Sequence, residues 1–291
     1  MSRKTYFCCV IQILNFLSKH QFLNVIVCLA FFLLVTLPHE FVGVSVAAVF
    51  KGVSRKTYDL TILCLGLLIL LLFISVFYRQ IRKLQNPFIP ISFFSLCIIL
   101  MILSLNSLII VNIEIIHFIQ YALMAVLIFP LLKNFLSTLI FVTLLGSIDE
   151  AYQYYFLSPD RTNYYDFNDV ILNLLGAAIG LIFLRSHRGI ASILRVDRYK
   201  IHTKAWLSYT FFIGISTMLI WQKKTVQTII DRLGLDLDWE TYGAILIRKP
   251  TTSFWTEIPP KILYHVVQPI EGVIIVSILL ITFGFIYYKA E

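Results

Sequence analysis

The chain has 291 residues, of which 59% are hydrophobic and only 14% are charged, and its mean hydropathy is +0.85. Soluble domains carry about 45–50% apolar and about 25% charged residues, so this composition excludes an ordinary water-soluble fold. The net charge of +8 arises from Lys and Arg in short clusters between long apolar runs. That pattern predicts membrane topology and no nucleic-acid partner.

A helix needs about 20 mostly apolar residues to cross the hydrocarbon core of a bilayer. The first segment, which ends in Lys19 and His20, predicts an interfacial helix. The later stretches that are apolar enough to cross run approximately over Phe22 to Leu37, Leu60 to Tyr78, Ile91 to Ile110, Ile115 to Leu132, Phe135 to Phe156, Asp169 to Leu184, Ala205 to Trp221 and Gly272 to Tyr288. The predicted fold is an all-α membrane bundle with about eight transmembrane helices.

These spans divide the chain into four regions. They are an N-terminal membrane region of residues 1–90, a membrane domain of residues 91–186, a basic loop of residues 187–204, and a C-terminal region of residues 205–291 with an outer segment at 222–271. Basic loops stay in the cytoplasm, so both termini are predicted to be cytoplasmic. The loop from Pro38 to Asp59 is the exception, because it carries Lys51, Arg55 and Lys56 yet falls outside.

Polar and ionisable residues collect in three consecutive spans. They are His117 and Tyr121 on one helical face, Asp149, Glu150 and Gln153 in the next span, and the stripe of Asp169, Asn173, Gly176 and Gly180 in the span after it. Because the spans alternate in direction, all of these residues are expected at one depth on the extracytoplasmic side. Ionisable groups within spans are costly unless they face a partner or a cavity, so this agreement predicts a site.

The same residues carry a resemblance. His117 to Tyr121, Asp149-Glu150-x-x-Gln153, Pro159-x-Arg161 and Asp169-x-x-x-Asn173-x-x-Gly176-x-x-x-Gly180 occur in the order seen in the VanZ-like family of membrane proteins. The resemblance covers about Asn112 to Leu184. Asp160 departs from the family's usual glycine, and the stretch from Arg161 to Asp169 is about two residues longer than usual.

The resemblance implies a bacterial cytoplasmic-membrane protein of the cell envelope, similar to factors that confer low-level resistance to the glycopeptide teicoplanin. The expected partners are membrane lipids and a lipid-linked envelope precursor, and the oligomeric state is left open. A protein that recognises or modifies a lipid-linked or anionic substrate is the leading interpretation. A lipid or small-molecule transporter or flippase, and a structural membrane protein, remain as alternatives.

Side-chain chemistry suggests a role for each residue. His117, Asp149 and Glu150 are candidates for proton transfer, because an imidazole and paired carboxyl groups suit acid and base work. The candidates for substrate binding are Tyr121, Gln153, Arg161, Asp169 and Asn173, with Arg161 suited to an anionic group. Asp169 could instead cap its own helix, and Gly176 with Gly180 suits close helix packing.

No cofactor or metal is predicted. His39 with Glu40, and His265, fall on the same side as the polar residues, but their spacing fits no defined ligand motif.

Overall fold

A computed structural model of the protein describes residues 4–38, 41, 45–46, 48–82, 84, 87–108, 112–157, 164–186, 210, 214, 256–258 and 262–289. Across these ranges the chain is almost entirely helical. One short antiparallel pair of strands precedes the last helix. The prediction of an all-α helical bundle is therefore confirmed.

The helices are α1 Lys4–Lys19, α2 Gln21–Thr36, α3 Arg55–Ile81, α4 Phe88–Ser107, α5 Ile116–Leu132, α6 Phe135–Tyr152, α7 Phe167–Arg185 and α8 Pro269–Lys289. A 3₁₀ turn, Asn112–Ile115, leads into α5, and a π-helical turn, Gln153–Leu157, extends α6. Strands β1 Thr256–Ile258 and β2 Ile262–Tyr264 pair so that Thr256 lies opposite Tyr264.

Five of these helices are long and apolar enough to cross a membrane, namely α3, α4, α6 with its π-helical extension, α7 and α8. Helices α1 and α2 meet at an angle of 112° beside His20 and count as one further span if taken together. Helix α5 is equally apolar but shorter. The protein is thus a multispan membrane protein. The predicted span from Ala205 to Trp221 is not among the segments that the structure describes.

Helix α7 lies at the centre of the bundle and is buried along almost its whole length by α4, α5, α6 and α8. Its closest neighbour is α5. A Cβ atom on Gly176 would lie 2.5 Å from the backbone oxygen of Phe118, and one on Gly180 would overlap the backbone oxygen of Ala122. The two helices therefore touch backbone to backbone, and only glycine permits that approach. This geometry agrees with the packing role predicted for both glycines.

A tight turn makes α5 and α6 antiparallel neighbours. Lys133 ends α5 in the left-handed conformation with φ 52°. Asn134 then caps α6, because its side-chain oxygen accepts a hydrogen bond from the backbone N–H of Ser137 at 2.9 Å. The start of α5, the end of α6 and the start of α7 consequently meet at one end of the bundle, as the alternation of spans predicted.

Replacing Gly180 with alanine should destabilise the protein by about 1–3 kcal/mol, because the new methyl group would force α5 and α7 apart. The matched control is Gly66→Ala in α3, where the nearest atom to the new Cβ would be Ile115 Cγ2 at 3.6 Å, an ordinary contact. Thermal unfolding of the purified protein in detergent measures both effects. Equal melting temperatures for the two variants would contradict the close α5–α7 contact.

Candidate functional site

His117 and Asn173 join α5 to α7. His117 lies in the first turn of α5, Asn173 lies in the second turn of α7, and both are buried. His117 Nδ1 is 3.0 Å from Asn173 Oδ1. An amide oxygen can only accept, so Nδ1 carries the proton in this hydrogen bond. The backbone contact at Gly176, one turn beyond Asn173, holds the two helices at the distance that this bond needs.

The other ring nitrogen of His117 faces Asp169. Nε2 lies 3.5 Å from Asp169 Oδ2. Asp169 does not cap α7, because that role belongs to Asp166, whose Oδ1 accepts from the backbone N–H groups of Asn168 at 3.0 Å and Asp169 at 3.4 Å. The interpretation of Asp169 as the helix cap is therefore wrong. Its carboxylate is instead directed across the helix interface toward the imidazole.

Helix α6 contributes two adjacent carboxyl groups. Tyr121 in α5 donates its hydroxyl proton to Asp149 Oδ2 at 2.9 Å. Glu150 Oε1 accepts from Gln153 Nε2 at 3.2 Å. Successive residues point about 100° apart on a helix, yet both acids are buried, because α6 packs against both α5 and α7. The paired carboxyl groups expected from the sequence thus lie inside the protein.

Seven of the eight predicted site residues come together at this end of the bundle. They are His117, Tyr121, Asp149, Glu150, Gln153, Asp169 and Asn173, and we call them the polar cluster. The eighth, Arg161, lies outside the described residues. Three carboxyl groups of the cluster are almost inaccessible, with exposed fractions of 0% for Asp149, 2% for Glu150 and 9% for Asp169. Buried carboxylates are costly without a compensating positive charge, and His117 is the basic group that the described residues place beside them.

Two polar atoms of the cluster are buried without a hydrogen-bond partner among the described residues. They are Asp149 Oδ1 and Asn173 Nδ2. The amide faces α6, since Nδ2 lies 2.9 Å from the position that a Cβ on Gly146 would occupy. Buried polar atoms are nearly always paired, so these two indicate capacity for a ligand, an ion or water.

Three members of the cluster could hold a metal ion. His117, Glu150 and Asp169 each offer one ligand atom, and these atoms all lie within 4.8 Å of one another. Imidazole nitrogen and carboxylate oxygen are common ligands of divalent transition metals. The sequence pattern did not indicate this group, because its members are spread over three helices with no short ligand motif.

Sequence reasoning missed Asn168, which fastens the start of α7 to its surroundings. Its Nδ2 donates to the backbone oxygens of Leu108 at 3.0 Å and His265 at 2.8 Å, and its Oδ1 accepts from the N–H of Val267 at 2.9 Å. One amide thus ties the end of α4 and the approach to α8 to α7. No spacing in the sequence signals such a contact, because its partners are 60 to 99 residues away.

Two further residues before α7 frame the cluster. Tyr165 donates its hydroxyl to the backbone oxygen of Ser147 at 2.7 Å. Burial raises the pKa of Asp166, while the backbone N–H groups of Asp169 and Asn168 and the nearby His117 oppose that shift. The loop before α7 therefore adds a fourth acidic group beside the three buried carboxyl groups.

His265 forms a second, separate pair. Its Nε2 lies 2.9 Å from Glu271 Oε2, and that oxygen also accepts from the N–H of Gln268 at 3.2 Å. The pair thus organises the first turn of α8. Of the other residues considered as metal ligands, His39 and Glu40 are not in the described part of the chain.

Comparison of the chain with protein-family models, with curated proteins and with solved structures finds no match. The resemblance to the VanZ-like family therefore depends on the motif residues themselves.

Replacing Asn168 with alanine should lower the free energy of unfolding by about 1–3 kcal/mol, because two backbone oxygens and one N–H lose their partner in a buried place. Asn106→Ala is the matched control. That side chain is exposed, and among the described residues it donates to the oxygen of Ile102 in its own helix, so its loss should cost less than about 0.5 kcal/mol. Chemical or thermal unfolding in detergent compares the two, and similar losses would argue against the fastening role.

Proposed function

We propose that this protein is a VanZ-like membrane protein of the bacterial cell envelope, and that its polar cluster recognises or modifies a lipid-linked or anionic envelope substrate. The observation that carries the proposal is the convergence of seven motif residues from three helices at one end of the bundle. These residues are spread over more than 50 positions of the sequence, yet their side chains lie within hydrogen-bonding or ion-pair distance of one another. Such mutual geometry is what a functional site requires.

The charge distribution supports an extracytoplasmic position for the cluster. Arg79 and Arg82 end α3, Lys133 lies in the α5–α6 turn, and Arg185 is in the last turn of α7. All four lie at the opposite end of the bundle from the cluster. Since basic residues favour the cytoplasmic side, the cluster faces outward in our proposal. Lys51, Arg55 and Lys56 are the exception, because they lie at or near the start of α3, on the outer side in this orientation.

Each residue has a role in the proposed chemistry. His117, Asp149 and Glu150 hold and transfer protons, since an imidazole and two carboxyl groups in one buried place can divide acid and base work. Tyr121 orients Asp149, and Gln153 orients Glu150. Asn173 and Asp169 hold the imidazole ring, and Arg161 supplies a fixed positive charge for an anionic headgroup.

The position of the cluster favours recognition at the membrane surface over transport. His117 and Asp169 lie in the first turns of their helices, whereas Asp149 and Glu150 lie farther inside their span, in the last α-helical turn before the π-helical extension of α6. Transporter sites are typically near the middle of the membrane, where helices are broken. Asp149 Oδ1 and Asn173 Nδ2, which have no hydrogen-bond partner among the described residues, also distinguish the cluster from a purely structural network, in which such atoms would be satisfied.

The test is a comparison of a glycopeptide-sensitive bacterial host that expresses the wild type, Asp149→Asn, Glu150→Gln or the control Asp59→Asn. Asp59 is partly exposed near the start of α3 and is not one of the residues of the polar cluster. Protein abundance is matched by blotting, and teicoplanin susceptibility and the lipid profile are measured. We expect the wild type and Asp59→Asn to change susceptibility or one lipid class, and the two cluster variants to lose that change.

The proposal is wrong if the wild type changes neither property, or if the cluster variants act like the wild type at equal abundance. Variants that lose only abundance would favour the structural alternative. Arg161→Ala, measured in the same way, tests the anion-binding role separately from proton transfer.

A further inference from the structure

When His117 is neutral, its Nε2 atom faces the cluster as a hydrogen-bond acceptor and not as a donor. Nδ1 donates its hydrogen bond to the amide oxygen of Asn173. Nε2 then carries a lone pair, and an oxygen of the Asp169 carboxyl group lies 3.5 Å from it. Two electron-rich atoms at this distance repel each other unless a proton or a cation lies between them.

The other acidic groups of the cluster also favour a positive charge at this place. Glu150 supplies a third ligand atom within 4.8 Å of those of His117 and Asp169. Asp149 is close enough to act electrostatically on all three. Its Oδ1 is fully buried and without a hydrogen-bond partner in the described ranges. Among the described residues, the acidic groups of the cluster therefore outnumber its one basic side chain, His117.

From this geometry we propose that His117, Glu150 and Asp169 bind a divalent transition-metal cation, with Asp149 as a nearby negative charge that stabilises it. Ligand atoms on a tetrahedral ion with bonds of about 2.0–2.2 Å are about 3.4 Å apart. The separation of 3.5 Å between Nε2 and Oδ2 is close to that value, and Glu150 offers a carboxylate oxygen within 4.8 Å of both of these atoms.

The choice of ion follows from the ligand types. One imidazole and two carboxylates suit Zn²⁺ or Mn²⁺, whereas Mg²⁺ and Ca²⁺ prefer oxygen ligands alone. Three protein ligands leave a coordination position open, as in catalytic zinc sites. Asn173 has the role of an outer partner, because its hydrogen bond to Nδ1 fixes the tautomer that presents Nε2.

The metal site depends only on the described side chains, whereas its use for an anionic substrate rests on the proposed function. With His117 and Glu150 bound to the ion, Asp149 remains to hold and transfer a proton, and the cation would supply a positive charge to an anionic headgroup at the same end of the bundle. Metal binding and the susceptibility phenotype are therefore measured separately, and the failure of one does not imply the failure of the other.

The first experiment uses the full chain, purified in detergent, incubated with ZnCl₂, MnCl₂ or MgCl₂ and freed of excess ion. We expect elemental analysis to find about one Zn²⁺ or Mn²⁺ per chain. Added Zn²⁺ should raise the melting temperature, and a chelator should reverse that rise. Added Mg²⁺ should leave the melting temperature unchanged. If a proton alone lies between Nε2 and Asp169, neither Zn²⁺ nor Mn²⁺ will bind saturably, and the proposal is overturned.

Variants then locate the ion. His117→Gln and Asp169→Asn should lose stoichiometric metal, and Asn173→Ala should weaken binding about 10–100-fold through loss of the outer hydrogen bond. His265→Gln is the matched control, because this second buried histidine pairs with Glu271 outside the ligand group. Retention of metal by His117→Gln and Asp169→Asn, or its loss in His265→Gln alone, would overturn the assignment. If the ligand variants do not fold, the ion and chelator responses of the wild type decide the question.

Discussion

The backbone contact between α5 and α7 is the constraint on which the polar cluster depends. Gly176 and Gly180 allow the two helices to approach until a single methyl group would not fit between them. In a membrane, helices gain little from excluding water from one another, so close packing by small residues is a main source of association. Here the approach has a second consequence. It brings the imidazole of His117 and the amide of Asn173 to 3.0 Å, one turn before the first glycine contact.

The buried polar groups of the cluster are energetically unfavourable, and a purely structural network of side chains would avoid them. Three buried carboxyl groups surround one imidazole, and two polar atoms have no hydrogen-bond partner in the described part of the chain. Such an arrangement is unfavourable without protons, a cation or a ligand to compensate it. This arrangement, with His117 and Asp169 at the starts of their helices, supports our proposal that the cluster meets a substrate. The proposed metal ion would supply such compensation, and it is a separate proposal from the envelope function.

Most of the fold and the membership of the cluster were predictable from the sequence, because apolar length predicts spans and alternation of direction predicts depth. The stripe from Asp169 to Gly180 indicated both a site and a packing face. The individual partners were not predictable. His117 pairs with Asn173 and Asp169, and Asp166 takes the capping role considered for Asp169. Those contacts depend on the rotation of each helix about its axis. Asn168 shows the same limit, since its partners come from distant segments.

An experimental structure of the protein prepared with Zn²⁺, with anomalous scattering measured at the zinc edge, tests the central claim that the three helix ends form one working site. The account predicts a single peak about 2.0–2.2 Å from His117 Nε2 and from the carboxylates of Glu150 and Asp169, with Asn173 bonded to Nδ1. A peak elsewhere, or an imidazole that is separated from Asp169 and Asn173 with no peak between them, would contradict it.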